Sequence, residues 1–341
     1  MKKKILVTGG SGFIGSNLSV SLNRDYEVFS VDNLYKKESE LNLNSLKSND
    51  INFIEGDITD YKFIKTLISN NNFDSIFHLA AQVAMTKSID DPVNDFNINT
   101  LGTLNLLNAM RENSSTAKFI NISSNKVYGD ISWDILEEQE TRFISKKFKE
   151  GYDEDIGIQF SSPYGCSKGS AEQYVLDYSN TYNLNTVSLR LSTIYGRNQH
   201  FTFDQGWIGW FINEFLKFQD NPSHIIEVQG NGKQVRDVLN VDDLIDLFVK
   251  IINSDFKNFS GQCFNIGGGI NNSLSILELL SILLKNSKIE SNLKIKENPW
   301  RISDQKFYIS NIKKAKKYFN WEPSNNLEEN IYSYVSWIQN G

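Results

Sequence analysis

A tyrosine and a lysine one helical turn apart, with a serine earlier in the chain, form a set that could move a proton. Tyr164 and Lys168 stand at positions i and i+4, so both side chains share one face of a helix. Oxidising a secondary alcohol requires a base for the hydroxyl proton, and a free tyrosine with a pKa of about 10 is a poor base near neutral pH. A nearby ammonium lowers that pKa, and the Ser124 hydroxyl could bond the same oxygen. The three residues predict catalysis at a hydroxyl-bearing carbon.

A glycine-rich turn near the start of the chain predicts a phosphate site. Residues 4–8 are an apolar run typical of a buried parallel strand, and Gly9, Gly12 and Gly15 follow it at three-residue spacing. Residues 13–22 then carry apolar side chains at helical spacing. The turn therefore lies at a helix N-terminus, where free N–H groups and the helix dipole favour a pyrophosphate.

A carboxylate at the end of the next apolar strand indicates which dinucleotide this turn would bind. Residues 28–31 form that strand, and Asp32 follows, where a carboxylate can accept hydrogen bonds from an adenosine ribose. Its charge would repel a 2′-phosphate, which favours NAD over NADP. Lys36 and Lys37 weaken this preference because they could neutralise such a phosphate. The sequence therefore predicts NAD as the cofactor and hydride transfer as the chemistry.

Length and patterning leave room for one large α/β unit and a smaller lobe. The 341 residues, 40% of them hydrophobic, can bury a substantial core. Strand and helix patterns alternate to about Leu191 without a flexible linker or an internal repeat, which predicts right-handed βαβ units. We expect a Rossmann-type, doubly wound parallel sheet in residues 1–190, with a segment near 232–262 returning to it. The remaining segments, 191–231 and 263–341, are expected to form a smaller C-terminal substrate-binding lobe.

Charge, cysteines and histidines argue against several classes of protein. A net charge of −6 and an isoelectric point near 5.3 disfavour a nucleic-acid surface. The apolar stretch after Lys2 to Lys4 is too short for a signal-peptide core or a membrane span, so we expect a cytoplasmic protein. Cys166 and Cys263 cannot define a disulfide framework. The three scattered histidines show no metal-ligand spacing, and no metal is expected.

The glycine turn, Thr8-Gly9-Gly10-Ser11-Gly12-Phe13-Ile14-Gly15, resembles that of the extended short-chain dehydrogenase/reductase family. Gly56-Asp57-Ile58 after a third predicted strand, residues 78–82 after a fourth, and Asn99 also match that family. The resemblance implies that Ser124, Tyr164 and Lys168 are the catalytic residues. It further implies cofactor contacts from Gly9, Gly12, Phe13, Ile14, Gly15, Asp32, Asn33, Asp57, Ile58, Leu79, Ala80, Ala81, Gln82, Asn99, Tyr164 and Lys168.

The two residues after Ser124 narrow the expected reaction. Nucleotide-sugar 4,6-dehydratases of the same family carry an Asp and a Glu where this chain has Asn125 and Lys126, and the uronate decarboxylases carry a Glu nearby. An amide and a cation supply no acid/base pair for the elimination of water. The resemblance therefore favours a redox-neutral epimerase or a simple reductase.

Two arginines in the C-terminal third resemble the diphosphate-binding arginines of nucleotide-sugar epimerases. Arg236 lies in a segment, 230–239, that reads as a glycine turn leading into a strand. Arg301 lies in residues 300–305, which the pattern places after a helix. A guanidinium suits this role because it binds phosphate oxygens in a bidentate manner.

Longer segments resemble the CDP-paratose 2-epimerases, also called CDP-tyvelose 2-epimerases. These segments are residues 82–90, 125–130, 162–169, 204–211 and 230–239, with 151–154 inside a long insertion between Gly129 and Ser162. The resemblance implies a CDP-sugar substrate that loses hydride from C2 to NAD and regains it on the other face. It implies substrate contacts from Thr86, Ser88, Ser124, Asn125, Gln205, Gly206, Arg236 and Arg301. Composition and spacing by themselves specify neither C2 nor the cytosine base.

Two other functions stay open at this point. A nucleotide-sugar 4-epimerase or 4-ketoreductase would use the same redox residues, although Thr193 stands where many 4-epimerases carry an asparagine. A regulator that senses NAD and NADH without turnover would need the glycine turn but not a tuned phenol.

Two apolar stretches predict self-association. Residues 101–110 and 171–182 offer more hydrophobic surface than one helix face needs against a sheet. Helices of this kind can pack across a twofold axis. We therefore expect a homo-oligomer, either a dimer or a tetramer.

Overall fold

The computed structural model describes residues 2–287, 292–301 and 304–340. The strands, in chain order, are β1 Lys4–Thr8, β2 Glu27–Asp32, β3 Asn52–Glu55, β4 Ser75–His78, β5 Lys118–Ser124, β6 Leu136–Glu138, β7 Phe143–Ser145, β8 Thr186–Leu191, β9 Thr193–Tyr195, β10 Ile225–Gln229, β11 Val235–Asn240, β12 Gln262–Ile266, β13 Ser273–Ser275, β14 Lys294–Asn298 and β15 Phe307–Tyr308.

The α-helices alternate with these strands through the first half of the chain. They are α1 Phe13–Leu22, α2 Lys37–Ser48, α3 Tyr61–Asn70, α4 Met85–Asp90, α5 Pro92–Phe96, α6 Gly102–Glu112, α7 Pro163–Tyr182, α8 Trp207–Asp220, α9 Val241–Asn253, α10 Ile276–Lys285, α11 Lys313–Phe319 and α12 Leu327–Asn340. A π-helical turn, Asn97–Leu101, joins α5 to α6, and a 3₁₀ turn, Asn125–Tyr128, follows β5.

Seven parallel strands form the central sheet in the order β12-β8-β5-β4-β1-β2-β3. The strand order reverses between β1 and β4, and ligands of such sheets bind at the carboxyl ends beside that reversal. Thr8, which ends β1, pairs with Val31 on one side and with His78 on the other. The glycine turn and the segment after β4 therefore meet at one edge.

Both faces of this sheet are covered, as its apolar strands predict. Alternate side chains of a strand point to opposite faces, so Ile5 and Val7 join one apolar cluster and Leu6 joins another. The first cluster packs helices α1, α2, α9 and α11 against the sheet, and the second packs α3, α6 and α7. The predicted Rossmann-type, doubly wound fold is confirmed.

A smaller group of sheets follows β8 along the chain. Strand β11 pairs with β9, β13 and β15, and β10 pairs with β14. A third apolar cluster packs α8, α10 and α12 around these strands. Strand β12, beginning at Gln262, returns to the central sheet beside β8. The chain thus crosses between the central sheet and the smaller sheets more than once.

The insertion after Gly129 contains the hairpin β6–β7, which is tied to the smaller sheets. Arg142 donates hydrogen bonds of 2.7 and 2.6 Å to the two carboxylate oxygens of Glu278, in the first turn of α10. The Phe143 N–H donates to the Lys233 carbonyl at 3.0 Å. The hairpin therefore braces the segment that leads into β11.

Within the described ranges, no helix is both long and apolar enough to cross a membrane. The same residues contain no group of three His, Cys, Asp or Glu side chains that could hold a metal ion. Cys166 and Cys263 are free thiols, the first of them exposed.

Candidate active site

The turn between β1 and α1 has the shape of a phosphate cradle. Gly9 has a φ of +68°, and a Cβ there would lie 2.7 Å from the Ala80 nitrogen. A Cβ on Gly15 would lie 2.1 Å from the Gly9 carbonyl oxygen. Gly12 begins α1 without a side-chain cap, so the N-terminal N–H groups of the helix are not covered by a side chain. This arrangement fits the pyrophosphate of a dinucleotide.

Asp32 is held beside this cradle by backbone groups. Its Oδ2 accepts a hydrogen bond from the Ser11 N–H at 3.2 Å, and its Oδ1 accepts one from the Leu34 N–H at 2.9 Å. Asn33 donates to Asp57 Oδ2 at 2.8 Å, which places the predicted adenine-side residues next to it. The fixed carboxylate lies where the ribose of a dinucleotide in the cradle would arrive.

The two lysines after Asp32 differ in their surroundings. The Lys36 ammonium donates to Gln205 Oε1 at 3.3 Å, across the cleft from β2. Burial, and then the charge of Lys87, lower its pKa. Lys37 is exposed at the start of α2. Lys36 therefore contacts Gln205, and its charge also interacts with that of Asp32, so that part of the Asp32 charge is compensated as the sequence suggested.

Asn99 fixes the predicted cofactor wall by bonding its backbone. Its Oδ1 accepts from the Gln82 N–H at 2.9 Å, and its Nδ2 donates to the Gln82 carbonyl at 3.1 Å. The asparagine side chain is buried and used by the protein itself. The structure thus gives Asn99 a positioning role, because the chain after β4 has backbone groups that need partners, and its cofactor contact stays a prediction. Leu79, Ala80 and Ala81 lie at the cleft edge, partly buried.

The three predicted catalytic residues come together at the carboxyl end of the sheet. Ser124 is the last residue of β5, and Tyr164 and Lys168 lie in the first two turns of α7. The Ser124 hydroxyl acts on the Tyr164 phenol and lowers its pKa. All three residues are at least nine-tenths buried. The start of α7 is fixed by Ser162, whose Oγ accepts from the Gly165 N–H at 3.1 Å.

The electrostatics of this set differ from the sequence-based expectation. Burial raises the pKa of Tyr164 to about 12, although the Ser124 hydrogen bond lowers it, and Asp95 raises it further. Burial lowers the pKa of Lys168 to about 8, while Asp95 and Glu172 act to raise it. In the protein alone the Tyr164 pKa thus lies above its ordinary value, and its lowering by Lys168 stays a prediction for the protein with its ligands bound. Desolvation disfavours the phenolate, and the Asp95 carboxylate disfavours it further.

Sequence reasoning missed these two carboxylates. Asp95 accepts hydrogen bonds from Ser167 at 2.5 Å, Gln82 at 2.9 Å and Asn99 at 3.1 Å. Glu172 is fully buried and forms a 2.6 Å ion pair with Arg190 of β8. Their helical spacing could have indicated both carboxylates in the sequence. Glu172 is four residues after Lys168, and Asp95 is four residues before Asn99.

On the substrate side, the Asp304 carboxylate contacts the predicted Arg236 and also Lys126. Arg236 Nη2 donates to Asp304 Oδ1 at 2.7 Å, and the Lys126 Nζ lies 3.8 Å from the same oxygen. Asn125 is buried beside Ser124 and donates to Gln305 Oε1 at 3.4 Å. The turn after β5 is thereby joined to the segment that carries the second predicted arginine.

That arginine, Arg301, follows strand β14 and not a helix, which corrects the expectation for its setting. Residues 294–298 are extended because they pair with β10. Arg301 Nη2 donates to the Phe203 carbonyl at 2.9 Å, and its Nη1 lies 3.7 Å from Asp204 Oδ1. This contact places it beside the predicted Gln205 and Gly206, and Gly206 begins α8 with a φ of +75°.

The remaining predicted substrate residues lie in α4. Thr86 is partly buried. Ser88 is fully buried, donates to the Met85 carbonyl at 2.7 Å and accepts from the Tyr164 N–H at 3.1 Å. Ser88 therefore positions the start of α7, and its contact with a substrate stays a prediction.

Comparison with known proteins extends this description. The family described as GDP-mannose 4,6 dehydratase matches residues 6–333. The chain belongs to this family. Its members share the extended short-chain dehydrogenase/reductase fold, as the sequence motifs predicted.

Individual relatives match nearly the whole chain. CDP-paratose 2-epimerase of Salmonella typhi is 43% identical over 98% of both chains. A putative UDP-glucose 4-epimerase of Methanocaldococcus jannaschii is 32% identical, again over 98% of both. The structure of UDP-glucuronic acid 4-epimerase from Bacillus cereus, solved with UDP-glucuronic acid and NAD, superposes with a TM-score of 0.82, is 27% identical and covers 99% of both chains. These relatives are enzymes, which confirms the expectation that this chain is an enzyme and disfavours a sensor without turnover.

The surroundings of Asp32 predict that the protein binds NAD at least about tenfold more tightly than NADP, since a 2′-phosphate would meet a fixed carboxylate. Calorimetric titration with each cofactor measures the ratio. Asp32→Asn should lower this ratio of affinities, because it removes the charge that repels the 2′-phosphate. Equal affinities in the wild-type protein would contradict this interpretation.

Proposed function

We propose that this protein is an NAD-dependent nucleotide-sugar epimerase that inverts C2 of a CDP-linked deoxyhexose, converting CDP-paratose to CDP-tyvelose. The observation that carries the proposal is the 43% identity to CDP-paratose 2-epimerase over 98% of both chains, against 32% for the putative UDP-glucose 4-epimerase. The geometry of the site supports the redox chemistry, and the likeness supports the choice of carbon and base.

The residues around the cradle would hold NAD. The turn at Gly9 to Gly15 would receive the pyrophosphate, Asp32 the adenosine ribose, and the wall of residues 79–82 would pack along the cofactor. When bound, NAD supplies hydride acceptance and return, so the net reaction is neither an oxidation nor a reduction.

Tyr164 would take the proton from the C2 hydroxyl as hydride leaves C2. The phenol is a poor base in the protein alone, since burial raises its pKa to about 12. The Lys168 ammonium and the Ser124 hydroxyl favour the phenolate once the hydroxyl of the substrate meets it. On return of hydride to the opposite face of the 2-keto sugar, Tyr164 gives the proton back to the oxygen. Atoms and electrons balance over the cycle.

The cleft beyond Ser124 suits a substrate anchored by its diphosphate. Both faces of the keto sugar must be presented to one hydride site, so the sugar has to turn while the rest of the substrate stays bound. Arg236 and Arg301 would provide the anchor. Asn125 carries no ionisable group, so the acid/base pair that a dehydratase uses at these positions is incomplete.

A substrate panel in deuterium oxide tests this proposal. We expect conversion of the CDP-linked deoxyhexose, with NMR showing inversion at C2 and no deuterium at any carbon, because hydride returns directly. UDP-, GDP- and dTDP-sugars serve as the comparison set. Inversion confined to C4, reduction without inversion, or deuterium at C2 or C3 would reject this mechanism and favour the 4-epimerase or 4-ketoreductase.

Replacing the phenol isolates the proton step. Tyr164→Phe should lower turnover by about 10²- to 10⁴-fold and leave NAD affinity near that of the wild type. Lys168→Met should weaken both, because its ammonium is expected to bond the nicotinamide ribose as well. Steady-state kinetics and calorimetry measure the two effects separately. Turnover of the Tyr164→Phe variant within about threefold of wild type would exclude Tyr164 as the base.

We also propose a homo-oligomer formed through the outer face of α6 and α7. Leu101, in the turn before α6, and Tyr174 and Tyr182 of α7 are 38%, 43% and 41% exposed. Light scattering should give at least twice the chain mass of 39.0 kDa. Tyr174→Glu should reduce the mass toward that of one chain, whereas Leu41→Glu on α2 should not. A monomer mass for the wild type at micromolar concentration would contradict the proposal.

A further inference from the structure

Two cationic side chains, those of Lys126 and Arg236, meet at one carboxylate on the substrate side of the cleft, and a third, that of Arg301, acts on Lys126. Asp304 forms a 2.7 Å ion pair with Arg236, and its oxygen lies 3.8 Å from the Lys126 ammonium. Arg301 is close enough to act electrostatically on Lys126. The side chains of Lys126, Arg236 and Asp304 are each one-fifth exposed or less, so this is a partly buried cluster open to the cleft on one side.

Lys126 and Arg236 share the single carboxylate of Asp304, whereas Arg301 lies beside Asp204. Burial and the charges of Arg236 and Arg301 lower the pKa of Lys126 to about 8, against the opposing effect of Asp304 and Asp130. A separation of 3.8 Å is too long for a hydrogen bond, so Asp304 attracts the ammonium without binding it. A desolvated cation in this position costs free energy unless an anion enters the cleft.

The backbone of Lys126 lies next to the catalytic serine. The Lys126 N–H donates to Ser124 Oγ at 3.2 Å, which fixes the start of the turn after β5. From that position its side chain extends toward Arg236 and Asp304. Lys126 therefore connects the turn after Ser124 to the carboxylate that binds Arg236.

We propose that Lys126 is a third cation of the diphosphate site, and that in the absence of substrate Asp304 occupies the position that a phosphate oxygen takes on binding. The inference rests on the proposed function only for a diphosphate ligand and not for its base or sugar. Lys126 would bind the phosphate nearer the sugar, because its backbone N–H contacts Ser124 Oγ. Asp304 then competes with the substrate for Arg236.

The roles proposed for Lys126 and Asp304 predict that their substitutions change the affinity for CDP in opposite directions. Calorimetry at pH 7.5 measures this affinity. Lys126→Met should weaken binding by roughly 10- to 100-fold, the range of a charge-assisted hydrogen bond, and Lys126→Arg should retain most of the affinity. Asp304→Asn should tighten binding by about threefold or more, because it removes an internal competitor. Arg236→Ala is the positive control, and Lys65→Met, on the exposed face of α3, is the negative control.

The pH dependence separates Lys126 from the arginines. The terminal phosphate of CDP, with a second pKa of about 6, stays ionised above pH 7.5. With a pKa of about 8, the Lys126 charge is present below pH 8 and is lost as the pH rises. Wild-type affinity for CDP should therefore fall between pH 7.5 and 9.5. The Lys126→Met and Lys126→Arg variants should show a flatter dependence over this range.

Parallel titrations with inorganic pyrophosphate separate this inference from the proposed function. If the wild type converts no CDP-sugar but Lys126→Met still weakens pyrophosphate binding, the cation role stands and the proposed function fails. If Lys126→Met binds CDP and pyrophosphate as the wild type does, the role of Lys126 is overturned. Weaker binding by Asp304→Asn would show that Asp304 orients Arg236 and does not compete with phosphate, and would overturn its role.

Discussion

The buried ammonium of Lys168 is the constraint on which the rest of the site depends. Removing a lysine charge from water is costly, and the protein offsets this with Asp95 and Glu172. Asp95 also accepts hydrogen bonds from Gln82 and Ser167. The charge requirement of one predicted catalytic residue thus joins the predicted cofactor wall to α7, so that neither can shift without disturbing the other.

The same requirement extends into the central sheet. Glu172 would be an uncompensated buried anion without Arg190, and breaking a buried pair from one side typically costs about 3–5 kcal/mol. Arg190 of β8 also donates to the Tyr128 hydroxyl at 2.7 Å, and that hydroxyl donates to Asn265 Oδ1 at 2.8 Å. Tyr128 ends the turn that begins with Asn125. A chain of partners therefore runs from α7 through β8 to the loop after Ser124, and the sheet fixes the distance between Ser124 and Tyr164.

The sequence predicted best those features that depend on residues close together in the chain. The strand, glycine turn, helix and acid from residue 4 to Asp32 follow from local patterning, and the structure has them in that order. The pKa of Tyr164 could not be predicted, since it is set by burial that only the folded chain creates. Ser88 has the residue type of a binding residue but is used by the Tyr164 N–H. Asp304 lay within a recognised segment, yet its partners Arg236 and Lys126 come from distant parts of the chain.

In the proposed cycle, the insertion between Gly129 and Ser162 would keep the diphosphate-binding arginines in place while the sugar turns. Hairpin β6–β7 is fixed to α10 through Arg142 and Glu278. Lys306 lies over the rings of both Phe143 and Trp300, at 5.6 and 5.2 Å, which connects the hairpin to the chain on either side of Asp304. An epimerase cannot hold the sugar hydroxyls tightly in both orientations without slowing the turn. The rigidity therefore has to lie in the phosphate site, and the insertion supplies it there by bracing the segments that carry Arg236 and Arg301.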